Sequence, residues 1–406
     1  MVVYHRKGGG DGVIDFRNPY TPGAGVMPKY LAGRDSVIDK AKQSLRALIE
    51  GYPTRSVVYY GLRGVGKTVL LNAVEEAAED LKVLNRHLEV KENSNFTRSL
   101  AIACGECARS LSFKESLKEK MGRLAAVIQS FSATWNPEDQ TISLEMKEIS
   151  DGSASAGSGD LSVDLTELMV TLGKYAQQGK TAICFCVDEI QYAKESELEA
   201  LITALHRANQ LGLPITFFCA GLPKILKTMG DVKSYTERLF EFVHIDSLEE
   251  DDAYQAIVVP AAKLGVEYSD EAVRKIIELT GCYPYFIQEM CSTIWGNYDS
   301  RNVSLQAVID NVAVTNKKLD DGFFMVRYER CTQMERNFLA AMVKCGDLPC
   351  TIACVARFMG KTQSAISPYR GQLISKGLIY ATGHGEIDFT VPQFDAFIKR
   401  THPDFS

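Results

Sequence analysis

The fold is decided by one stretch of the chain, Ser56-Val-Val-Tyr-Tyr-Gly61-Leu-Arg-Gly64-Val-Gly66-Lys67-Thr68-Val-Leu-Leu71. Its opening run of β-branched and aromatic residues predicts a buried strand. Glycines then break the pattern, and a helical pattern resumes at Lys67. Strand, glycine loop and helix in this order are the setting of a phosphate-binding loop. The stretch also matches G-x-x-x-x-G-K-[ST] at every fixed position, which makes such a loop the first prediction.

The motif predicts how this loop would bind a nucleotide. Glycines let successive main-chain N–H groups point at phosphate oxygens, and the following helix adds the positive end of its dipole. Lys67 is then expected to reach the β- and γ-phosphates, and the Thr68 hydroxyl to bind Mg²⁺. The alternative is a glycine-rich turn with a solvated lysine. The expected phosphate-binding residues are Gly61, Gly64, Val65, Gly66, Lys67, Thr68 and Val69.

A second stretch, Thr181-Ala-Ile-Cys-Phe-Cys-Val-Asp188-Glu189, predicts the chemical partner of the loop. Its continuous apolar run is typical of a strand buried on both faces of a parallel sheet. Because ligands bind at the carboxyl ends of such strands, the two carboxylates are expected in the ligand crevice. We expect Asp188 to hold Mg²⁺ and Glu189 to orient the attacking water. Taken alone, Asp188 could instead cap the next element.

Length and composition limit the classes of protein to consider. At 406 residues the chain is longer than one core usually allows, so two or three domains are expected. The net charge of −6 argues against a whole surface that coats nucleic acid. The N-terminal residues lack the apolar segment of a signal peptide, and no apolar run approaches membrane-spanning length. We therefore expect a cytoplasmic protein with no membrane contact and with reduced cysteines.

The order of predicted elements outlines the architecture. Strands alternate with helices over residues 30–248, which predicts an α/β domain with a doubly wound sheet. Four helices follow without a strand signal, and three short helices with a hairpin, the order of a winged helix, end the chain. The predicted divisions are an extended N-terminal segment (1–28), an α/β domain (29–248), a helical domain (249–330) and a winged helix (331–406). Inside the α/β domain, the pattern also predicts helix over 95–131, a short strand over 141–149 and a mobile loop over 150–159.

With these motifs in place, the chain resembles the origin-recognition-like branch of the AAA+ ATPases, close to the archaeal-type and STAND ATPases. The resemblance covers nearly everything after residue 28. Gly61 to Thr68 corresponds to Walker A and Asp188-Glu189 to the Walker B pair, while Gly33-Arg34-Asp35 is similar to a box whose arginine borders the adenine. The resemblance implies a P-loop NTPase fold of AAA+ type, a parallel sheet flanked by helices and followed by an α-helical lid and a winged helix. It also implies ATP and Mg²⁺ as cofactors.

The resemblance implies two further site residues and two departures. Glu237-Arg238-Leu-Phe240 is similar to the box that supplies an arginine finger to a neighbouring subunit, with a structural salt bridge of Arg238 as the alternative. Gly281-Cys-Tyr-Pro284 resembles a turn that closes over the nucleotide in STAND-type lids, with a tight turn free of ligand contact as the alternative. Cys219-Ala220 lacks the polar residue that senses the γ-phosphate, and no lid arginine stands next to Pro284. Hydrolysis is therefore expected to be slow, or to depend on assembly or on a ligand.

Three hypotheses of function stay open from the sequence. The first is an ATPase with Lys67, Glu189 and Arg238 as catalytic residues, active as a homo-oligomer or on a protein partner. The second is a slow or non-hydrolysing switch that is gated by ATP and ADP and docks a protein. The third is binding of duplex DNA by the third helix of the winged helix. Pro368 is expected to interrupt that helix, which favours protein docking instead. The DNA-contacting candidates are Lys361, Gln363, Ser364, Ser367, Arg370 and Lys376.

Overall fold

The computed structural model describes residues 17–111, 160–233, 235–297 and 300–401. The chain divides into two compact units. The sheet unit contains residues 36–61 and 67–245, and the helical unit contains residues 1–35, 62–66 and 246–406. The second half of the predicted helix over 95–131, the strand over 141–149 and the loop over 150–159 lie outside the described residues.

The sheet unit is built on a five-stranded sheet in the order β2-β3-β4-β1-β5. All of its neighbouring strands run parallel, as the alternation of strands and helices predicts. The central strands β3 and β4 are buried at every position, which accounts for their uninterrupted apolar sequences. The strands are β1 Ser56–Tyr60, β2 Leu84–Glu89, β3 Ile183–Asp188, β4 Ile215–Gly221 and β5 Phe240–His244.

Helices connect these strands and pack against the sheet. Their apolar side chains share one core with β3 and β4, in which the neighbouring residues Phe185 and Phe217 have ring centroids 4.9 Å apart. The sequence does not predict the last two helices, which are short and bury only two residues each. The helices are Asp35–Ile49, Lys67–Asp80, Phe96–Leu111, Leu161–Gln178, Glu195–Gln210, Lys224–Val232 and Thr236–Leu239.

The first part of the helical unit contains the four helices that the sequence predicts. They are Glu250–Ala262, Asp270–Thr280, Pro284–Asn297 and Leu305–Leu319. Tyr20 is buried in their core, and its hydroxyl donates to the carbonyl of Ile257 at 2.5 Å, so the described part of the N-terminal segment packs against these helices. The expectation of no strand here is wrong, since residues 267–268 pair in parallel with residues 302–303. Two residues are too few to produce a strand pattern in the sequence.

The last part of the helical unit combines short helices with a three-stranded sheet. The predicted hairpin is present. The structure also contains a third strand, Cys350–Thr351, and a last helix, which the sequence does not predict. Pro368 does not interrupt its helix as expected: Thr362 caps that helix, and buried Ile366 and Leu373 anchor it. The helices are Met325–Tyr328, Gln333–Lys344, Ile352–Met359, Gln363–Ser375 and Phe394–Thr401, and the other strands are Ile379–Gly383 and Glu386–Phe389.

None of the described helices has the length and apolar composition that crossing a bilayer requires.

Candidate nucleotide site

The glycine loop joins β1 to the helix that begins at Lys67, as the sequence predicts. Gly64 and Gly66 have φ angles of +88° and +95°, a conformation that residues with a Cβ rarely adopt. Among the described residues, no atom lies within 4 Å of the place that a Cβ of Gly66 would take. Backbone conformation, not packing, therefore requires glycine here, and the main chain borders open space.

Two side chains after the loop make the contacts that define the site. The Thr68 hydroxyl donates to Asp188 Oδ2 at 2.6 Å, although the two residues are 120 positions apart in the chain. Lys67 Nζ donates to the carbonyl of Gly61 at 3.0 Å, which places the ammonium over the start of the loop. Asp188 ends β3 and is only 6% exposed. The fold therefore brings the loop's hydroxyl and the carboxylate of the second motif into direct contact.

The oxygen atoms of Thr68 and Asp188 fit a Mg²⁺ ion. Mg²⁺ prefers oxygen ligands, is held by one or two protein groups, and takes its other ligands from water and phosphate. In the described parts of the chain, no group of three or more His, Cys, Asp or Glu side chains could hold a metal by itself. With two protein oxygens, this hydroxyl–carboxylate pair suits a cation that takes its other ligands from phosphate and water.

Gln191 is a site residue that the sequence analysis missed. Its Nε2 donates to Oε2 of Glu189, and its Oε1 accepts from the main-chain N–H of Leu222 at 2.9 Å. The side chain is only 7% exposed. Glu189 itself has a φ of +53°, and its N–H donates to Asp188 Oδ1 at 2.8 Å. The only signal in the sequence was a polar residue two positions after the carboxylate pair.

The amide of Gln191 packs against the last residue of β4, Gly221. A Cβ on Gly221 would lie 2.9 Å from Gln191 Oε1, so a larger residue there would push the amide aside. Cys219 and Ala220, where the resembled family has a polar sensor, are both fully buried. In this chain, the polar group that links β4 to Glu189 therefore comes from the segment after β3.

In the helical unit, Arg34 contacts the main chain of the phosphate loop. Its guanidinium donates to the carbonyl of Val65 at 3.2 Å and to that of Asp246 at 2.6 Å. Burial lowers the pKa of Arg34, and the nearby carboxylates of Asp252 and Asp246 oppose this effect. Gly33 is required beside it, because its φ is +66° and a Cβ would lie 2.5 Å from Asp252 Oδ2. The residue expected to border the adenine thus holds the loop itself.

The predicted turn at Pro284 also reaches the loop, through its neighbour Tyr283. Pro284 is the first residue of its helix. The hydroxyl of Tyr283 donates to the carbonyl of Arg63, and a Cβ on Gly64 would lie 3.1 Å from the Tyr283 ring. Burial raises the pKa of Tyr283, so its hydroxyl stays a neutral donor. Sequence reasoning named the proline of this turn, whereas the tyrosine makes the contact.

Arg238 lies on the short helix Thr236–Leu239 and its side chain is exposed. Within the described residues it forms no ion pair and no side-chain hydrogen bond. The alternative that Arg238 serves in a structural salt bridge therefore finds no support in this part of the chain. The structure also does not bring Arg238 into contact with Lys67 or Glu189.

The residues predicted to meet DNA occupy two different environments. Lys361, Gln363, Ser364 and Ser367 are exposed at the start of the helix Gln363–Ser375. Lys376, in contrast, donates to the buried carboxylate of Glu335 at 2.6 Å and to the carbonyl of Arg330 at 2.9 Å. Arg370 is half-buried, and its Nε has no hydrogen-bond partner among the described atoms. The exposed set therefore contains the first four residues and excludes Lys376.

Comparison with known proteins agrees with this geometry. Residues 30–218 match the AAA ATPase domain, and residues 321–398 match a Domain of unknown function (DUF8462). No curated protein matches the chain. A Walker-type ATPase of Pyrococcus abyssi is similar in structure, with a TM-score of 0.53 and 12% identity over 95% of this chain and 99% of that chain. At this identity the likeness concerns the fold alone.

Two further solved structures have a TM-score of 0.45. They are the Aeropyrum pernix Orc1 protein in complex with DNA and the Thermotoga maritima RuvB Holliday junction branch migration motor. The first is 13% identical over 93% of this chain and 94% of that chain. The second is 15% identical over 93% of this chain and 99% of that chain. The parallel sheet, the glycine loop and the match of residues 30–218 to the AAA ATPase domain together show the AAA+ P-loop NTPase fold.

Proposed function

We propose that this chain is a Mg²⁺-dependent ATPase that uses ATP binding and hydrolysis to change its conformation. The observation that carries the proposal is the contact of Thr68 with Asp188 beside Lys67. A hydroxyl, a carboxylate and an ammonium group at one end of a parallel sheet are the groups that bind a metal-bound triphosphate. A glycine turn with a solvated lysine would not need the buried Asp188 partner.

Each role in this proposal follows from position and chemistry. The main-chain N–H groups of residues 64–66 and the Lys67 ammonium would bind the phosphates. Thr68 and Asp188 would hold the cation, which when bound offsets the negative charge of the phosphates. Glu189, the next residue, would orient the attacking water and accept its proton. Arg34 would hold the loop through the Val65 carbonyl.

Gln191 would fix the carboxylate of Glu189. The N–H of Leu222 can only donate, so it must face Oε1 of the Gln191 amide, and this directs Nε2 at the carboxylate. The amide thereby connects Glu189 to the end of β4, where the resembled family has its polar sensor. We assign Gln191 the role of a positioning residue, because it acts through Glu189.

Steady-state ATP hydrolysis tests the proposed function. We expect Lys67→Ala to weaken ATP binding and Glu189→Gln to abolish turnover while ATP still binds. Glu92→Gln, a change at an exposed glutamate of the same unit, is the matched control and should leave both quantities unaltered. Turnover that survives the first two changes at the level of the unmodified protein would contradict the proposal.

A second candidate is a switch in which nucleotide occupancy matters more than turnover. The buried, apolar Cys219 and Ala220 favour it, since no polar side chain from these positions can sense the γ-phosphate. Turnover measured beside nucleotide residence time separates the two candidates. Tight binding of ATP with negligible hydrolysis, and docking of a protein partner that depends on ATP, would select the switch.

For the last part of the chain, we propose a winged helix that binds duplex DNA. The exposed residues Lys361, Gln363 and Ser367 at the start of one helix support this, because amide and basic side chains there can reach base edges. Lys361→Ala and Gln363→Ala should then weaken DNA binding, measured by fluorescence anisotropy at several salt concentrations. The loss of one phosphate contact would reduce the slope of log affinity against log salt concentration by about one. Unaltered affinity and slope would identify a protein-docking domain instead.

Arg238 is proposed as a residue that acts on a neighbouring copy of the chain. Its exposed side chain on a short helix supports this assignment. Arg238→Ala should reduce turnover at protein concentrations at which the chain self-associates, and should leave ATP binding unaltered. If Arg238→Ala reduced turnover equally at every protein concentration, this would argue against action between subunits.

A further inference from the structure

The helical unit contains a cavity that no role in the proposed function uses. Its volume is about 170 Å³, and four of its seven lining residues are cationic while none is acidic. We call it the basic cavity. We propose that the basic cavity binds a small phosphorylated anion, at a site distinct from the one proposed for the phosphates of ATP. The lining residues are Arg63, Val326, Arg327, Arg330, Lys376, Gly377 and Leu378.

Arg63 belongs to the glycine loop, yet its main chain is held by other parts of the helical unit. Its N–H donates to the carbonyl of Thr390 at 3.3 Å, and its carbonyl accepts from the hydroxyl of Tyr283. These two bonds engage both of its main-chain polar groups. The basic cavity is therefore lined by a residue whose backbone is not available to a nucleotide in the loop.

Arg327 is fixed in place before any ligand arrives. Its guanidinium lies 3.9 Å from the centroid of the Phe323 ring and donates to the carbonyl of the same residue. Burial, followed by repulsion from Arg63, lowers its pKa to about 10. The guanidinium stays charged at neutral pH, and an anion between Arg327 and Arg63 would relieve the repulsion.

Two glutamates beside lining residues of the cavity form ion pairs with particular cations. Glu335 accepts from Lys376 at 2.6 Å, and Glu329 accepts from Arg336 at 3.0 Å. Pairing with Glu335 neutralises one of the four lining cations. Among the described residues, the two lining arginines Arg327 and Arg330 form no ion pair. This arrangement leaves an excess of positive charge that favours an anion with more than one negative charge.

The number of cationic groups favours a phosphate, which carries more than one negative charge, over a single carboxylate. Guanidinium groups bind phosphate oxygens through paired N–H donors, and several of them can share one phosphate. A volume of about 170 Å³ is large enough for a phosphate or pyrophosphate group. Because Arg63 lines the cavity and is part of the phosphate loop, an anion bound there would be linked to nucleotide binding by reciprocal coupling.

Calorimetry of the full chain tests the proposal in a Lys67→Ala background, which weakens phosphate binding by the loop. Inorganic phosphate, pyrophosphate and O-phosphoserine are the probes, so that a free anion and a phosphate ester can be told apart. We expect one pyrophosphate site, weakened about tenfold by Arg330→Ala and only partly restored by Arg330→Lys, which keeps the charge but loses the paired donors. Arg330 is exposed, so this change should leave folding intact.

Arg357→Ala is the matched control, because Arg357 is an exposed arginine of the same unit outside the cavity lining. It should bind pyrophosphate like the parent protein. Two results would overturn the proposal: a Lys67→Ala protein that binds none of the three probes, or binding that Arg330→Ala and Arg357→Ala alter to the same extent. Neither result bears on ATP hydrolysis by the unmodified chain, so the proposed function is tested separately.

Discussion

Replacing Gln191 by methionine removes two hydrogen bonds while keeping nearly the same side-chain length. The bond to the Glu189 carboxylate is charge-assisted, and such bonds contribute about 1.5–3 kcal/mol. If that energy holds Glu189 in its productive orientation, its loss should lower kcat by about 10- to 100-fold. The change also leaves the Leu222 N–H without its partner, at a cost of about 1–3 kcal/mol of stability.

Steady-state hydrolysis and equilibrium ATP binding together measure the effect of Gln191→Met. We expect kcat to fall and the Kd for ATP to stay within about twofold, because Gln191 touches Glu189 and not the loop. Gln210→Met is the matched control, since Gln210 is an exposed residue at the end of a helix in the same unit. It should alter neither quantity.

Two results would refute the reasoning about Gln191. Unaltered turnover in a folded Gln191→Met protein would mean that the amide does not position Glu189. Faster turnover would mean that the amide holds the carboxylate away from the attacking water, which is the opposite role. A circular dichroism spectrum at the assay temperature and a thermal melt with its midpoint above that temperature establish that the variant is folded.

Three further predictions concern stability and loop geometry. Lys376→Met should cost about 3 kcal/mol in urea unfolding, because it leaves the Glu335 carboxylate buried without its cation. Burial raises the pKa of Glu335, but bonds from Lys376 and Thr332 outweigh it and the net shift is downward. This stabilisation should therefore be complete above the ordinary glutamate pKa and be lost as pH falls through the lowered value, as urea melts at several pH values would detect. Tyr283→Phe should weaken ATP binding by about fivefold in a filter-binding assay, since it removes a donor to the loop, and unaltered binding would disprove that contact's role. Gly33→Ala should lower the melting temperature, because its φ is positive and a Cβ would meet Asp252; an unshifted melt would contradict this.

Much of the fold could be predicted because its signals are local. The strands β1, β3 and β4 are apolar runs that the sequence located to within two residues, and the glycine motif located the loop that follows β1. The two-residue strands at 267–268 and 302–303 could not be predicted, since they are too short to carry a periodic pattern. The helix Lys224–Val232 was missed because it buries only two side chains.

The site residues that belong to a sequence motif could be predicted, and those that only tertiary contacts bring to the site could not. The proposed roles of Thr68 and Asp188 come from two sequence motifs, and the structure brings the two side chains together. Gln191 meets a main-chain group 31 residues later, and Tyr283 meets one 220 residues earlier. Neither contact leaves a trace in residue spacing, so only the folded chain identifies these two residues.

The most direct test of the central claim measures ATP binding by calorimetry, with and without Mg²⁺, in the unmodified protein, Thr68→Val and Asp188→Asn. If the hydroxyl and the carboxylate share a metal-bound triphosphate, Mg²⁺ should tighten ATP binding in the unmodified protein. In both variants this effect of Mg²⁺ should be lost, with ATP at least about tenfold weaker when Mg²⁺ is present. Variants that bind ATP with Mg²⁺ as tightly as the unmodified protein would contradict the claim.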